Sequence, residues 1–101
     1  MPKAAEDVLD RVTRRGTRLS RPGFTLYYLK LLSPPRPRIV ISHKVDKRAT
    51  VRNRLRRQIS TLLRQAKLTN RAIVVIVRKE LLALSFAELK SELGQALNRI
   101  P

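Results

Sequence analysis

Residues 38–78 read RIVISHKVDKRATVRNRLRRQISTLLRQAKLTNRAIVVIVR, and the changes of period along this stretch decide the architecture. Positions 38–42 hold the apolar run Ile39-Val40-Ile41, a short strand pattern that passes directly into a basic loop over 43–50. Thr50 stands where a helix would take its N-cap. From there Val51, Leu55, Ile59, Leu62 and Ala66 recur at steps of four and three, which is one face of a helix over 51–66, and Leu63 widens it. Beyond Thr69-Asn70, the run Ala72-Ile73-Val74-Val75-Ile76-Val77 is apolar at consecutive positions, the pattern of a strand buried on both faces.

Outward from this strand, helix, strand unit the signals are local. Pro2 opens a helical segment over 3–15 with Ala5, Leu9 and Val12 on one side. Its acids Glu6, Asp7 and Asp10 come early and Arg14 and Arg15 late, as the helix dipole favours, with Asp7/Arg11 and Asp10/Arg14 spaced as helical ion pairs. Gly16 stops the helix. Residues 17–23 read as a turn or short edge strand ending at Pro22-Gly23, and 24–32 as a strand that Ser33-Pro34-Pro35-Arg36-Pro37 breaks. Near the C-terminus Ser85-Phe86-Ala87-Glu88 is a capping box, and Phe86, Leu89, Leu93, Leu97 and Ile100 form the inner stripe of a last helix. The order α-β-β-β-α-β-α makes one α+β domain over 1–101, a two-layer sandwich with helices on one face of the sheet.

Charge says what this domain meets. Residues 48–57 place five arginines and an asparagine within ten positions. Residues 36–71 hold twelve basic side chains and one acid, Asp46, out of 23 basic and 7 acidic residues in the chain. Cations crowded this way repel one another and oppose compaction unless a polyanion faces them. Nucleic acid is the expected partner. An anionic membrane surface is the weaker reading, because helix 51–66 carries no aromatic residue opposite its cations. The longest apolar run falls far short of the roughly 20 residues of a membrane span. A charged, mixed N-terminus does not read as a signal peptide, and with no cysteine the expected location is cytoplasmic.

Catalytic sets are missing. His43 is the only histidine, and Glu88 and Glu92, one helical turn apart, read as a cap and a solvated charge rather than a paired acid and base. The chain alone is therefore expected not to be a catalyst. Its binding set is Lys44, Lys47, Arg48, Arg52, Asn53, Arg54, Arg56, Arg57 and Arg64. At about 100° per residue, Asn53, Arg57, Ser60 and Arg64 share the face opposite the apolar stripe. Arg54 and Arg56 flank that face, and Arg52 lies at the apolar edge. Guanidinium forks one turn apart match successive phosphates, and an amide suits a base edge or a 2′-hydroxyl. Strand alternation puts Phe24 and Tyr28 on one face and Tyr27 on the other, where Tyr27 is the candidate to stack on a base.

At these residues the sequence resembles the protein component of bacterial ribonuclease P. The likeness rests on Ser42-His43-Lys44, on Arg52-Asn53-Arg54 with Arg56-Arg57 behind it, on Arg15-Gly16-Thr17, on Phe24-Thr25-Leu26-Tyr27 and on the strand ending at Arg78, which together span nearly the whole chain. The resemblance implies a left-handed crossover through the basic helix, in a fold of the kind seen in the second domain of a small-subunit ribosomal protein. It implies docking of the Arg-Asn-Arg helix on a catalytic RNA subunit, and a groove, with Phe24, Tyr27 and Tyr28 as its candidate residues, for the 5′ leader of precursor tRNA. It also implies magnesium held mainly by RNA and substrate, and one protein per RNA. The sequence departs from the family at Asp46, where a glycine is usual, at His43 in place of lysine, and at Leu9 and Thr13, where the first helix usually carries aromatics. Two readings compete: a DNA-binding regulator using helix 51–66 in a major groove, and a structural ribosomal protein.

Overall fold

Strand β4 (Arg71–Val77) is the one on which the sheet is built, in a computed structural model that describes residues 4–101, with side chains from Leu9 onward. The remaining elements are α1 (Ala4–Arg15), β1 (Thr17–Arg21), β2 (Phe24–Lys30), β3 (Arg38–Val40), α2 (Ala49–Gln65) and α3 (Phe86–Asn98). A 3₁₀ turn over Lys79–Ala83, which the sequence reading did not anticipate, joins β4 to α3. The sheet runs β1-β2-β4-β3, antiparallel except for β3 beside β4. That parallel pair needs a crossover, and α2 supplies it.

Register divides the sheet into two faces. Phe24, Leu26 and Tyr28 of β2 sit opposite Val77, Val75 and Ile73 of β4, and this face packs against α2 and α3. From α2 come Val51, Leu55, Ile59, Leu62 and Leu63, the stripe read from the spacing, and from α3 come Leu89, Leu93 and Ala96. Phe24, Leu26, Ile59 and Leu93 are completely or almost completely buried. Each such side chain contributes about 1.5–3 kcal/mol on leaving water.

The other face is covered by α1. Val12 packs on Ala72 and Val74 there, with Leu9, Tyr27, Leu29 and Ile76 around them. The expectation of helices on one face thus holds for α2 and α3 and fails for α1. A strand as apolar as β4 at every position needs cover on both sides, and α1 provides the second. Gly16 ends α1 so close to β2 that a β-carbon would lie 2.5 Å from the carbonyl oxygen of Tyr28, so glycine is required by packing. Gly23 is required by conformation: its φ of 90° closes the two-residue Pro22-Gly23 turn between β1 and β2.

Several local expectations change. Helix α2 starts two residues earlier than its apolar stripe, its N-cap is Arg48 with no side-chain cap, and Thr50 lies in its first turn. The Ser85/Glu88 capping box is present, with Glu88 N–H donating to Ser85 Oγ at 3.1 Å and Ser85 N–H to Glu88 Oε1 at 2.8 Å. Phe86, expected on the inner stripe of α3, is instead 49% exposed, and at the far end of the helix Ala96 is fully buried while Leu97 is half-buried. Asp10 and Arg14 form the expected i,i+4 pair at 3.0 Å. The Asp7/Arg11 pairing and the roles given to Pro2, Ala5 and Glu6 lie outside the described residues or side chains. Half-buried Arg21 ties β1 to α3 by donating to Glu92 at 2.6 Å and to Gln95 at 2.6 Å. Arg78 ties the ends of β1 and β2 together through the Arg21 carbonyl and the Thr25 hydroxyl.

Candidate nucleic-acid interface

The loop before α2 is folded by three contacts that the sequence does not advertise. Val45 is buried in the main core and anchors the loop from its middle. Asp46 accepts from the Arg48 N–H at 2.8 Å and from its guanidinium at 3.1 and 3.0 Å. Arg52, half-buried, donates to the carbonyl oxygens of Asp46 and Lys47 at 2.9 and 2.8 Å. The guanidinium and backbone N–H of Arg48 hold the Asp46 carboxyl at about 2, below its ordinary 3.8, and the same pairing pushes Arg48 up.

A carboxyl held low in the folded state stabilises the loop above its ordinary pKa. That contribution is lost as pH falls from near 3.8 through about 2. In a carbon-detected NMR titration, Asp46 should titrate near 2, and loss of the loop's native shifts should track it. A midpoint at the ordinary value would contradict the Arg48 clamp. Arg52→Ala should lower stability by about 1 kcal/mol, less than a fully buried charge-assisted bond would cost, because water reaches the site. Thermal melts of the variant test this, and an unchanged melting temperature would remove Arg52 from the loop's support.

These contacts sort the nine predicted binding residues. Asn53, Arg56, Arg57 and Arg64 line one open cavity of about 480 Å³ with Ser60 and Thr61, on the face opposite the buried stripe. Arg56 donates to Asn53 Oδ1 at 3.1 Å, which leaves the amide's N–H₂ as the donor for a ligand. Arg54 lies on the other flank, beside Gln58, Leu82 and Phe86. Lys44 and Lys47 are exposed in the loop. Arg48 is exposed but shares its charge with Asp46, and Arg52 serves the loop. With strand β3 in front of it, α2 has no preceding helix to brace it in a major groove, which removes the support for helix-turn-helix docking.

The three aromatic candidates separate. Phe24 is 0% exposed within the main core, so it is withdrawn from the groove. Tyr28 lies on the same face, half-buried against that core. Tyr27 alone is on the α1 face, packed beside the Val12, Ala72 and Val74 cluster. Pairing places Arg18, Tyr27, Val74 and Arg38 in one row across the sheet, so two exposed arginines bracket the tyrosine and the valine. Next to this row is a cleft of about 100 Å³ between α1 and the sheet, walled by Leu9, Val12, Ala72 and Val74 and edged by Arg36 and Arg38. Leu9 therefore stands in the cleft, while the Thr13 hydroxyl is spent on the Leu9 carbonyl at 3.0 Å. Arg18, Arg36 and Arg38 reach this row and cleft only through the sheet pairing and the loop, which their positions in the sequence do not reveal. Only Pro34-Pro35-Arg36-Pro37, a rigid segment next to a strand, marked the place.

Comparison with known proteins places the sequence and the fold. The family described as Ribonuclease P matches residues 5–101. The ribonuclease P protein component of Xylella fastidiosa is 38% identical over 88 residues, which cover 85% of this chain and 65% of that protein. The protein component of a Cyanothece species is 35% identical over 88 residues, covering 84% of this chain and 67% of its own length. The chain thus spans just under two thirds of the length of the Xylella relative. Among solved structures, an RNase P protein from Thermotoga maritima in complex with 1-(4-fluorophenyl)-2-thiourea superposes with a TM-score of 0.84 at 27% identity, over 97% of this chain and 98% of that one. The Staphylococcus aureus RNase P protein shares the fold, with a TM-score of 0.79 at 20% identity over 97% of this chain and 91% of that one. With its basic α2 face and α1 cleft, the chain belongs to the ribonuclease P protein family.

Proposed function

We propose that this chain is the protein subunit of a ribonuclease P, docking on a catalytic RNA through the outer face of α2 and holding the 5′ leader of precursor tRNA in the α1 cleft. The observation that carries the reading is the face formed by Asn53, Arg56, Arg57 and Arg64. It is cationic and open, and no salt bridge to a carboxylate occupies it among the described residues. Phosphates of a folded RNA supply what it lacks. Tyr27 stacks on a leader base, with Arg18 and Arg38 on the flanking phosphates.

The phosphodiester hydrolysis belongs to the RNA, with magnesium held by RNA and substrate. The α2 cavity has no carboxylate in its lining, and its neutral oxygen donors, Asn53, Ser60 and Thr61, stand among guanidinium groups that repel a divalent cation. The protein positions the substrate and neutralises charge, and one copy per RNA suffices. The test is reconstitution with the cognate RNA and precursor tRNA at low magnesium. Cleavage should rise on adding the protein, and equal rates with and without it would overturn the reading. Tyr27→Ala should weaken precursor binding about tenfold, the order of one stacked base, and spare binding of the RNA subunit. Equal loss of both would remove the stacking role.

A further inference from the structure

We propose that Arg36, Ser60 and Arg64 form a phosphodiester-binding notch where the proline-rich segment between β2 and β3 meets the C-terminal half of α2. The inference rests on the reading above and adds a site and a path to it. Arg36, Pro37, Ser60 and Arg64 wall a cavity of about 420 Å³ that contains no carboxylate. Neither arginine forms a salt bridge among the described residues. Two guanidinium groups converging on one hollow repel each other, and an anion seated between them turns that repulsion into attraction. Guanidinium forks match phosphate oxygens, and the Ser60 hydroxyl adds a neutral donor between the two charges.

The sequence around Arg36 prepares it for this use. Pro35 and Pro37 fix their own φ angles, and Pro37 also biases Arg36 toward extended backbone. A cation on a stiff segment loses less conformational freedom when it binds. No packing explains Arg36 otherwise, because the residue is exposed.

The notch also connects two surfaces that the fold otherwise separates. Arg36 edges the α1 cleft as well as the notch. Ser60 and Arg64 belong to the notch and to the open cavity of Asn53, Arg56 and Arg57. One strand of RNA can therefore pass from the Tyr27 row, over Arg38 and Arg36, onto the face of α2 without leaving cationic surface. The occupant is a phosphodiester of single-stranded RNA, supplied either by the distal leader or by the RNA subunit.

The experiment compares the wild-type chain with Arg36→Ala. Binding is measured across a potassium chloride series to three probes: a single-stranded oligouridylate, the RNA subunit, and precursor tRNA with a short or a long leader in the reconstituted holoenzyme. Arg36→Ala should weaken oligouridylate binding about tenfold and lower the salt slope by about 0.7, the value for one single-strand phosphate. Melting temperature should not change. Loss confined to the long leader assigns the phosphate to the substrate, and loss against the RNA subunit whatever the leader assigns it to that subunit. Unchanged oligouridylate affinity and slope would overturn the notch even if the wild-type protein stimulates cleavage. A wild-type protein that fails to stimulate, but whose oligouridylate binding depends on Arg36, would overturn the ribonuclease P reading and leave the notch standing.

Discussion

Phe24→Ala is expected to lower the melting temperature by on the order of 15–30 °C, enough to leave much of the chain unfolded at moderate temperature. Emptying the space of a fully buried phenylalanine costs about 3–5 kcal/mol, because the lost transfer energy is joined by a cavity that the surroundings only partly fill. A domain of this size loses roughly 4–8 °C per kcal/mol, and its whole stability is about 5–15 kcal/mol. Phe24 is 0% exposed and lies among Leu26, Val77 and Leu81 in the core, which leaves little scope for relaxation. Calorimetry on the variant and on Tyr27→Ala makes the comparison. Tyr27 is half-buried on the other face and should cost far less. A shift of only a few degrees for Phe24→Ala would mean that Phe24 is not the anchor of this core.

Replacing Asn53, Arg56 and Arg57 together by alanine should weaken binding of the RNA subunit by on the order of a hundredfold or more, since charge-assisted hydrogen bonds contribute about 1.5–3 kcal/mol each before solvent screening. The salt slope should fall by about 1.5–2, the share of two arginines. Cooperative unfolding should persist, because all three side chains are exposed and none reaches the core. Arg52 is left intact in this variant, since it holds the Asp46 and Lys47 carbonyls and its loss would confuse folding with binding. Titrations by filter binding or anisotropy at several salt concentrations read the effect. Wild-type affinity in the triple variant would take the interface away from this face.

The contrast between Phe24 and Tyr27 shows how far the sequence could be read. Alternation along β2 separates the two side chains without structural help, and the spacing in α2 sorts Val51, Leu55 and Ile59 from Asn53, Arg57 and Arg64. Both are local properties of a regular backbone. The side of the sheet that α1 covers is a tertiary choice, because an apolar stripe such as Leu9 and Val12 shows that a helix is covered and not by which face. The consecutive apolar positions of β4 held the clue, since they require cover on both faces. Arg36 and Arg64 are brought to one hollow by the crossover, and nothing in their separation along the chain predicts it. Arg52 sits at the edge of the helical stripe, as its phase indicates, yet its carbonyl partners exist only once Val45 has anchored the loop. The short polar side chain of Thr50 suits a cap, yet the loop clasped by Asp46 begins the helix at Ala49, one residue before it.

The separation of Val12, Ala72 and Val74 from the main core bears on how such a protein changes over time. Residues in separate clusters with few shared partners tend to contribute independently. The wall of the cleft can therefore gain or lose bulk at Leu9, Val12 or Ala72 without repacking α2 and α3. Single substitutions there can reshape the cleft, while the scaffold that presents the arginines stays fixed. Small side chains in that wall leave the most room for such drift.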